Sequence, residues 1–270
     1  MDFTALGIKG TETASDMVEP PLKIAIIGDP GVGKSWAACS YPGTVFDWDF
    51  DSRKSSLSNH PNAANITVKT YYDSDPNNPK AMAEFETDLR ALKYAKQAKK
   101  DIPQCNVIDS ITYARKATES ELIRQQGNLG RAVRIGATTV KIAAGWDIIN
   151  ANRLYLEYII SELSNLGDLI AIFHEKDEKD ATKSTAEKTA YTGMVTIQPQ
   201  YLNSILSIFN DVWRLKVNAN GKQVLQTGIS PDFVGKCSLK GLDPLSEEPN
   251  LAKLLQKHRA WVATNKSKAP

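Results

Sequence analysis

The chain has 270 residues, with 33 Lys and Arg against 31 Asp and Glu and a hydrophobic fraction of 41%. That length and apolar content suit one α/β domain with a buried core, and a net charge of +2 excludes a globally basic nucleic-acid binder, so any basic surface must be local. Cys39, Cys105 and Cys237 lie far apart without C-x-x-C spacing, which argues against a zinc site or a disulfide framework. With no signal peptide and no apolar run of about eighteen residues, a cytoplasmic protein without a membrane partner is expected.

Residues 1–20 mix Gly, Thr, Ser and acidic residues up to Pro20-Pro21, which predicts a flexible arm. A first core strand is expected at Leu22-Lys23-Ile24-Ala25-Ile26-Ile27, and a second from Thr44 to Trp48 after the turn Tyr41-Pro42-Gly43. Ala81 to Lys100 places Met82, Phe85, Leu89 and Leu92 at helical spacing, and Trp146 to Leu163 does the same with Ile149, Leu156, Ile160 and Leu163. Short apolar strands are expected at Cys105 to Asp109 and Leu169 to His174. Strands alternating with helices imply a largely parallel sheet with helices on both faces. Val212 to Asn218 and Lys222 to Gln226 flank Ala219-Asn220-Gly221 as a C-terminal β-hairpin, and a last helix covers Asn250 to Val262. The expected organisation is an arm at 1–20, a core at 21–245 and a C-terminal helix and tail at 246–270.

The most specific pattern is Gly28-Asp29-Pro30-Gly31-Val32-Gly33-Lys34-Ser35, running from the first strand into Trp36 at the start of a helix. In G-x-x-x-x-G-K-[ST] the glycines let the backbone wrap an anion, successive N–H groups converge on phosphates, and the helix start adds positive potential. Lys34 is placed to reach the β- and γ-phosphates of a nucleoside triphosphate such as ATP, and Ser35 to sit on Mg2+. Asp109, at the carboxyl end of an apolar strand, is the candidate acid for the same Mg2+. In Phe46-Asp47-Trp48-Asp49-Phe50-Asp51, Asp49 leads as a general base, with Asp47 and Asp51 behind it; the competing reading is that these aspartates cap a turn into Arg53-Lys54. His174 ends its strand at the same sheet edge, as a sensor of the γ-phosphate or as a satisfied structural residue.

Together the phosphate loop, Phe46-Asp47-Trp48-Asp49, Val107-Ile108-Asp109-Ser110 and Ile172-Phe173-His174 resemble the RecA-like P-loop ATPases, and in particular the phage-encoded nucleotide-binding proteins among which are single-strand annealing recombinases. The resemblance runs from about Leu22 to Lys240 and includes Thr196-Ile197-Gln198-Pro199 and Asp211 to Leu215. It implies a RecA-like core that hydrolyses ATP with Mg2+, with Asp49 where the family usually has Glu and His174 where it commonly has Gln. It also implies a ring or filament, single-stranded DNA as a partner, and a single-strand binding or replication protein as another. Of the two expected DNA loops, Gln126 to Gly136 is glycine-rich and basic, with Arg131 and Arg134 and nearby Arg115, Lys116, Arg124 and Lys141; Glu175 to Gly193 is mixed in charge. Lys236 matches a basic residue that acts on the neighbouring subunit's site, although Ser238 stands where an arginine is expected. Phe3-Thr4-Ala5 is similar to a subunit-linking plug with a spacing one residue short. The alternative function is a helicase loader or remodelling ATPase acting through protein contacts; a small-molecule kinase lacks an arginine-rich lid here.

Overall fold

A computed structural model describes residues 20–75, 78–129, 132–136, 138–141, 145–175, 204–230 and 233–266. The arm with Phe3, Arg131, the segment at 196–199 and all of the second candidate loop beyond Glu175 lie outside the described residues.

Seven strands form the main sheet in the order β3-β2-β4-β7-β1-β8-β9. They are β1 (Lys23–Gly28), β2 (Val45–Asp49), β3 (Ile66–Thr70), β4 (Cys105–Asp109), β7 (Asp168–His174), β8 (Asp211–Val217) and β9 (Gln223–Gln226). All neighbours pair in parallel except β8 and β9, the expected terminal hairpin. The central strands are buried on both faces, which is why Ile24-Ala25-Ile26-Ile27 and Leu169 to Phe173 read as continuous apolar runs.

Alternate residues of those runs feed two cores. Ala25, Ile27, Ala171 and Phe173 meet α2 (Ala81–Gln97), α3 (Ile111–Leu129) and α4 (Gly145–Ser164). Ile24, Ile26, Ile170 and Ile172 meet α1 (Lys34–Cys39) and α5 (Leu251–Lys266), so the C-terminal helix, through Leu251, Leu254 and Leu255, completes the second core. On the first face Trp48, Phe50, Tyr71 and Phe85 form an aromatic cluster, with Trp48 and Phe85 centroids 4.9 Å apart and Phe50 and Tyr71 5.4 Å apart. Each such ring contributes about 2–3 kcal/mol of burial, so the segment beyond β2 is firmly anchored at Phe50.

The stretch expected as a glycine-rich loop is ordered differently. Residues through Leu129 continue α3, and β5 (Ala132–Ile135) pairs antiparallel with β6 (Thr138–Lys141) around Gly136. Ile135 is buried in the first core, which gives this small hairpin its register.

Candidate phosphate-binding site

The helix leaving β1 covers one face of the sheet and the helix leaving β4 covers the other, so the carboxyl edge opens as a crevice between their starts. β7 lies between β1 and β4. Strand order therefore brings the loop after β1, His174 at the end of β7, and Asp109 at the end of β4 side by side.

The loop itself explains its glycines. A Cβ on Gly28 would collide with the carbonyl oxygen of Leu215, while Gly31 and Gly33 adopt φ of +83° and +91°, a left-handed conformation that side chains disfavour. Gly33 caps α1, whose first amides have no intrahelical acceptor. Lys34 curls back so that its Nζ donates to the carbonyls of Gly28 at 2.8 Å and Asp29 at 2.7 Å. Burial pushes its pKa down to about 8, against the opposing pull of Asp109 and Asp29. Ser35 Oγ donates to Asp109 Oδ2. Burial raises the Asp109 pKa to about 6, although the Ser35 hydrogen bond works the other way.

A cavity of about 670 Å³ sits over these groups, and Gly31, Lys34, Ser35, Asp51, Asp109 and His174 are in its walls. Asp51, not Asp49, is the acid from the β2 end that faces it. Asp49 is 2% exposed, and its carboxylate accepts the Thr70 hydroxyl at 2.8 Å and the Asp51 amide at 3.0 Å. Asp47 is equally buried, and desolvation drives its pKa well above the carboxylate range. Asp51 is positioned by its neighbours: the amides of Phe50 and Asp51 both donate to the Asp109 carbonyl, at 2.6 and 3.1 Å, and Ser52 turns the chain with φ of +58°. Burial raises the Asp51 pKa, opposed by Arg53, whose Nε lies 3.5 Å from Oδ1. The sequence signal for Asp51 was its place two residues past the strand, but the tie to Asp109 is tertiary.

His174 Nε2 stands 3.6 Å from Asp51 Oδ2. The backbone of His174 donates to Thr112 Oγ1 at 3.2 Å and its ring meets Tyr113 edge-on, so the imidazole is held in place. Burial and then the charges of Lys34, Arg53 and Lys116 lower its pKa to about 4, leaving it neutral at pH 7. One ligand atom from each of Asp51, Asp109 and His174 falls within 4.8 Å of the others.

These residues fit ATP and Mg2+. The loop has the glycine cradle and a desolvated ammonium aimed at its own carbonyls, and Ser35 with Asp109 offers the hard oxygen pair that Mg2+ takes.

The remaining sequence candidates lie elsewhere. Arg124 pairs with Glu121 through Nε at 2.8 Å, and Arg134 is exposed on β5 with Nε donating to the Gly136 carbonyl at 3.0 Å. Lys141 ends β6. Lys236 is exposed, and its Nζ donates at 2.6 Å to the Phe209 carbonyl, at the amino end of β8 and so at the sheet edge opposite the cleft.

A parallel sheet with this glycine loop, a strand-end aspartate bonded to its serine, and a third strand between them defines a P-loop nucleoside triphosphatase domain. A family profile described as an AAA domain matches residues 20–239, and the chain belongs to that family of P-loop ATPases. No curated protein matches the chain in sequence. No helix of the described residues is long and apolar enough to cross a membrane.

Proposed function

We propose that the chain hydrolyses ATP and uses the cycle to act on single-stranded DNA during recombination or strand annealing, assembled as a ring or filament. The observation that carries the hydrolytic part is the convergence of Lys34, Ser35, Asp109, Asp51 and His174 on one cavity. Lys34 Nζ exchanges its carbonyl partners for β- and γ-phosphate oxygens, gaining charge-assisted bonds in a desolvated site. Ser35 Oγ and Asp109 hold Mg2+, which when bound neutralises phosphate charge. A water held against Asp51 Oδ2 and His174 Nε2 attacks the γ-phosphorus, Asp51 Oδ2 taking its proton as the bond from that phosphorus to the β,γ-bridging oxygen breaks and ADP leaves. The raised Asp51 pKa makes it the better proton acceptor, and the neutral His174 donates or accepts without adding charge. Asp49, each of whose carboxylate oxygens already accepts one hydrogen bond, from Thr70 or from the Asp51 amide, supports this arrangement from behind.

The DNA-directed part is supported by the RecA-like order of motifs and by the exposed Arg134 beside Arg131 in the sequence. Exposed Lys236, at the edge opposite the cleft, fits head-to-tail stacking in which one copy's lysine approaches the next copy's phosphates. A second reading, a loader or remodeller acting through protein contacts, is favoured by Arg124 being spent on Glu121 and Arg134 on its own hairpin. Phosphate release from ATP measured with and without single-stranded DNA separates them. Stimulation supports the DNA reading, and indifference the partner reading.

A further inference from the structure

A second cavity of about 760 Å³ adjoins the phosphate cleft, and Trp36 and Gln223 belong to the walls of both. Trp36 follows Ser35 directly, so the sugar and base of a triphosphate gripped by Lys34 and Ser35 emerge beside its ring. Trp36 is 40% exposed, unusual for tryptophan, and its ring is braced edge-on by His60 with centroids 4.5 Å apart. His60 is itself fixed: its Nδ1 accepts the Asn62 amide at 3.0 Å, which leaves Nε2 to donate to the Trp36 carbonyl at 3.1 Å. The result is a flat apolar platform held at the mouth of the cleft.

The polar groups round this platform are mostly spent on the protein. Asn62 donates to the carbonyls of Cys39 and Tyr41 and accepts from Asn65. The Tyr41 hydroxyl donates to Asp168, and Ser40 Oγ donates to Ala37 and accepts from Leu251. Glu248 pairs with Lys253. Gln223 and Lys222 are different: neither side chain makes a hydrogen bond among the described residues, and the Gln223 amide reaches to within 2.8 Å of where a Cβ on Gly33 would stand.

We propose that this second cavity seats the nucleobase by stacking on Trp36, with the mobile Gln223 amide as an edge contact, so that the site accepts ATP and GTP alike. The inference rests on the phosphate-cleft reading above. Strong selection between bases needs fixed donors and acceptors that the wrong base leaves unpaired. Here most of the fixed groups are internally satisfied, and a freely rotating amide presents either its oxygen or its NH2 to suit the ring. Stacking is indifferent to the base edge, because every base has a π-face.

The test is equilibrium binding of ATP, GTP and inorganic tripolyphosphate, each with Mg2+, to wild type and to Trp36→Ala, Trp36→Phe and Gln223→Ala. Wild type is expected to bind ATP and GTP within about threefold of each other. Trp36→Ala is expected to weaken both by about tenfold, while tripolyphosphate binding stays unchanged. Trp36→Phe, which keeps a stacking face, retains most of the nucleotide affinity, and Gln223→Ala weakens ATP and GTP equally. The proposal is overturned if Trp36→Ala binds ATP as wild type does, if it loses tripolyphosphate to the same degree, or if wild type prefers one purine by more than about thirtyfold. Failure of wild type to bind tripolyphosphate or ATP at all would instead remove the phosphate cleft, and this inference with it.

Discussion

Asp51 Oδ2 and His174 Nε2 face each other 3.6 Å apart across the mouth of the phosphate cleft, one carried past the end of β2 and the other at the end of β7. The gap is too long for a direct hydrogen bond, and both groups face the same part of the cavity, where one water can meet them together. Because the imidazole is neutral, its contribution is orientation. His174→Gln, which keeps an amide within reach, is expected to lower kcat less than His174→Ala, with the latter losing about 10²-fold and KM little changed in either. Steady-state kinetics of both variants checks this.

Lys34 ties binding to pH. In the proposed site its ammonium holds phosphate, and burial brings its pKa down to about 8 in the free protein. Nucleotide affinity is therefore expected to be flat between about pH 7 and 8 and to fall by up to about tenfold per pH unit above pH 8. Lys34→Ala abolishes that dependence along with most of the affinity. Calorimetric titration of ATP at a series of pH values reads both effects.

Asp109 and His174 act on stability with opposite signs. The folded Asp109 pKa of about 6 lies above its ordinary 3.8, so the folded state holds the extra proton and stability falls as pH rises through that window. The folded His174 pKa of about 4 lies below its ordinary 6.5, so the unfolded state holds the extra proton and stability rises with pH there. Asp109→Asn is thus expected to stabilise the nucleotide-free protein above pH 6, by up to about 3 kcal/mol, while abolishing Mg2+-dependent hydrolysis. His174→Gln removes the acid-side loss. Denaturant melts of both variants at pH 5 and pH 7.5 test the pair.

Arg134 offers the sharpest test of the DNA-directed reading. Arg134→Ala together with Arg131→Ala is expected to weaken single-strand binding and to reduce the slope of affinity against salt by about one to two counterions. A mobility-shift series at several salt concentrations measures it.

The phosphate loop was legible in sequence because its geometry demands glycine at Gly28, Gly31 and Gly33, and backbone demands leave a local signature. Asp109 was legible for a similar reason, as the last residue of an apolar strand. Local spacing favours Asp49, at the strand end, over Asp51. What turns Asp51 into the cavity is the anchoring of Phe50 among Trp48, Tyr71 and Phe85 and two amides donated to the Asp109 carbonyl, none of which is written in local spacing. The β5–β6 hairpin did leave a signal, the alternation of Val133 and Ile135 before Gly136, but the glycines and arginines around it read more strongly as a loop. The brace of Trp36 by His60 joins residues 24 apart and had no sequence mark at all.

The central claim is that Asp51, positioned against His174, is the base of an ATP-hydrolysing site. Mg2+-dependent phosphate release from ATP, compared among wild type, Asp51→Asn and Asp49→Asn with ATP binding measured in parallel, tests it most directly. Turnover by wild type is expected, with a loss of about 10²–10⁴-fold in Asp51→Asn with binding retained, and only a several-fold loss in Asp49→Asn. Wild-type turnover in Asp51→Asn, or a larger loss in Asp49→Asn than in Asp51→Asn, would contradict it.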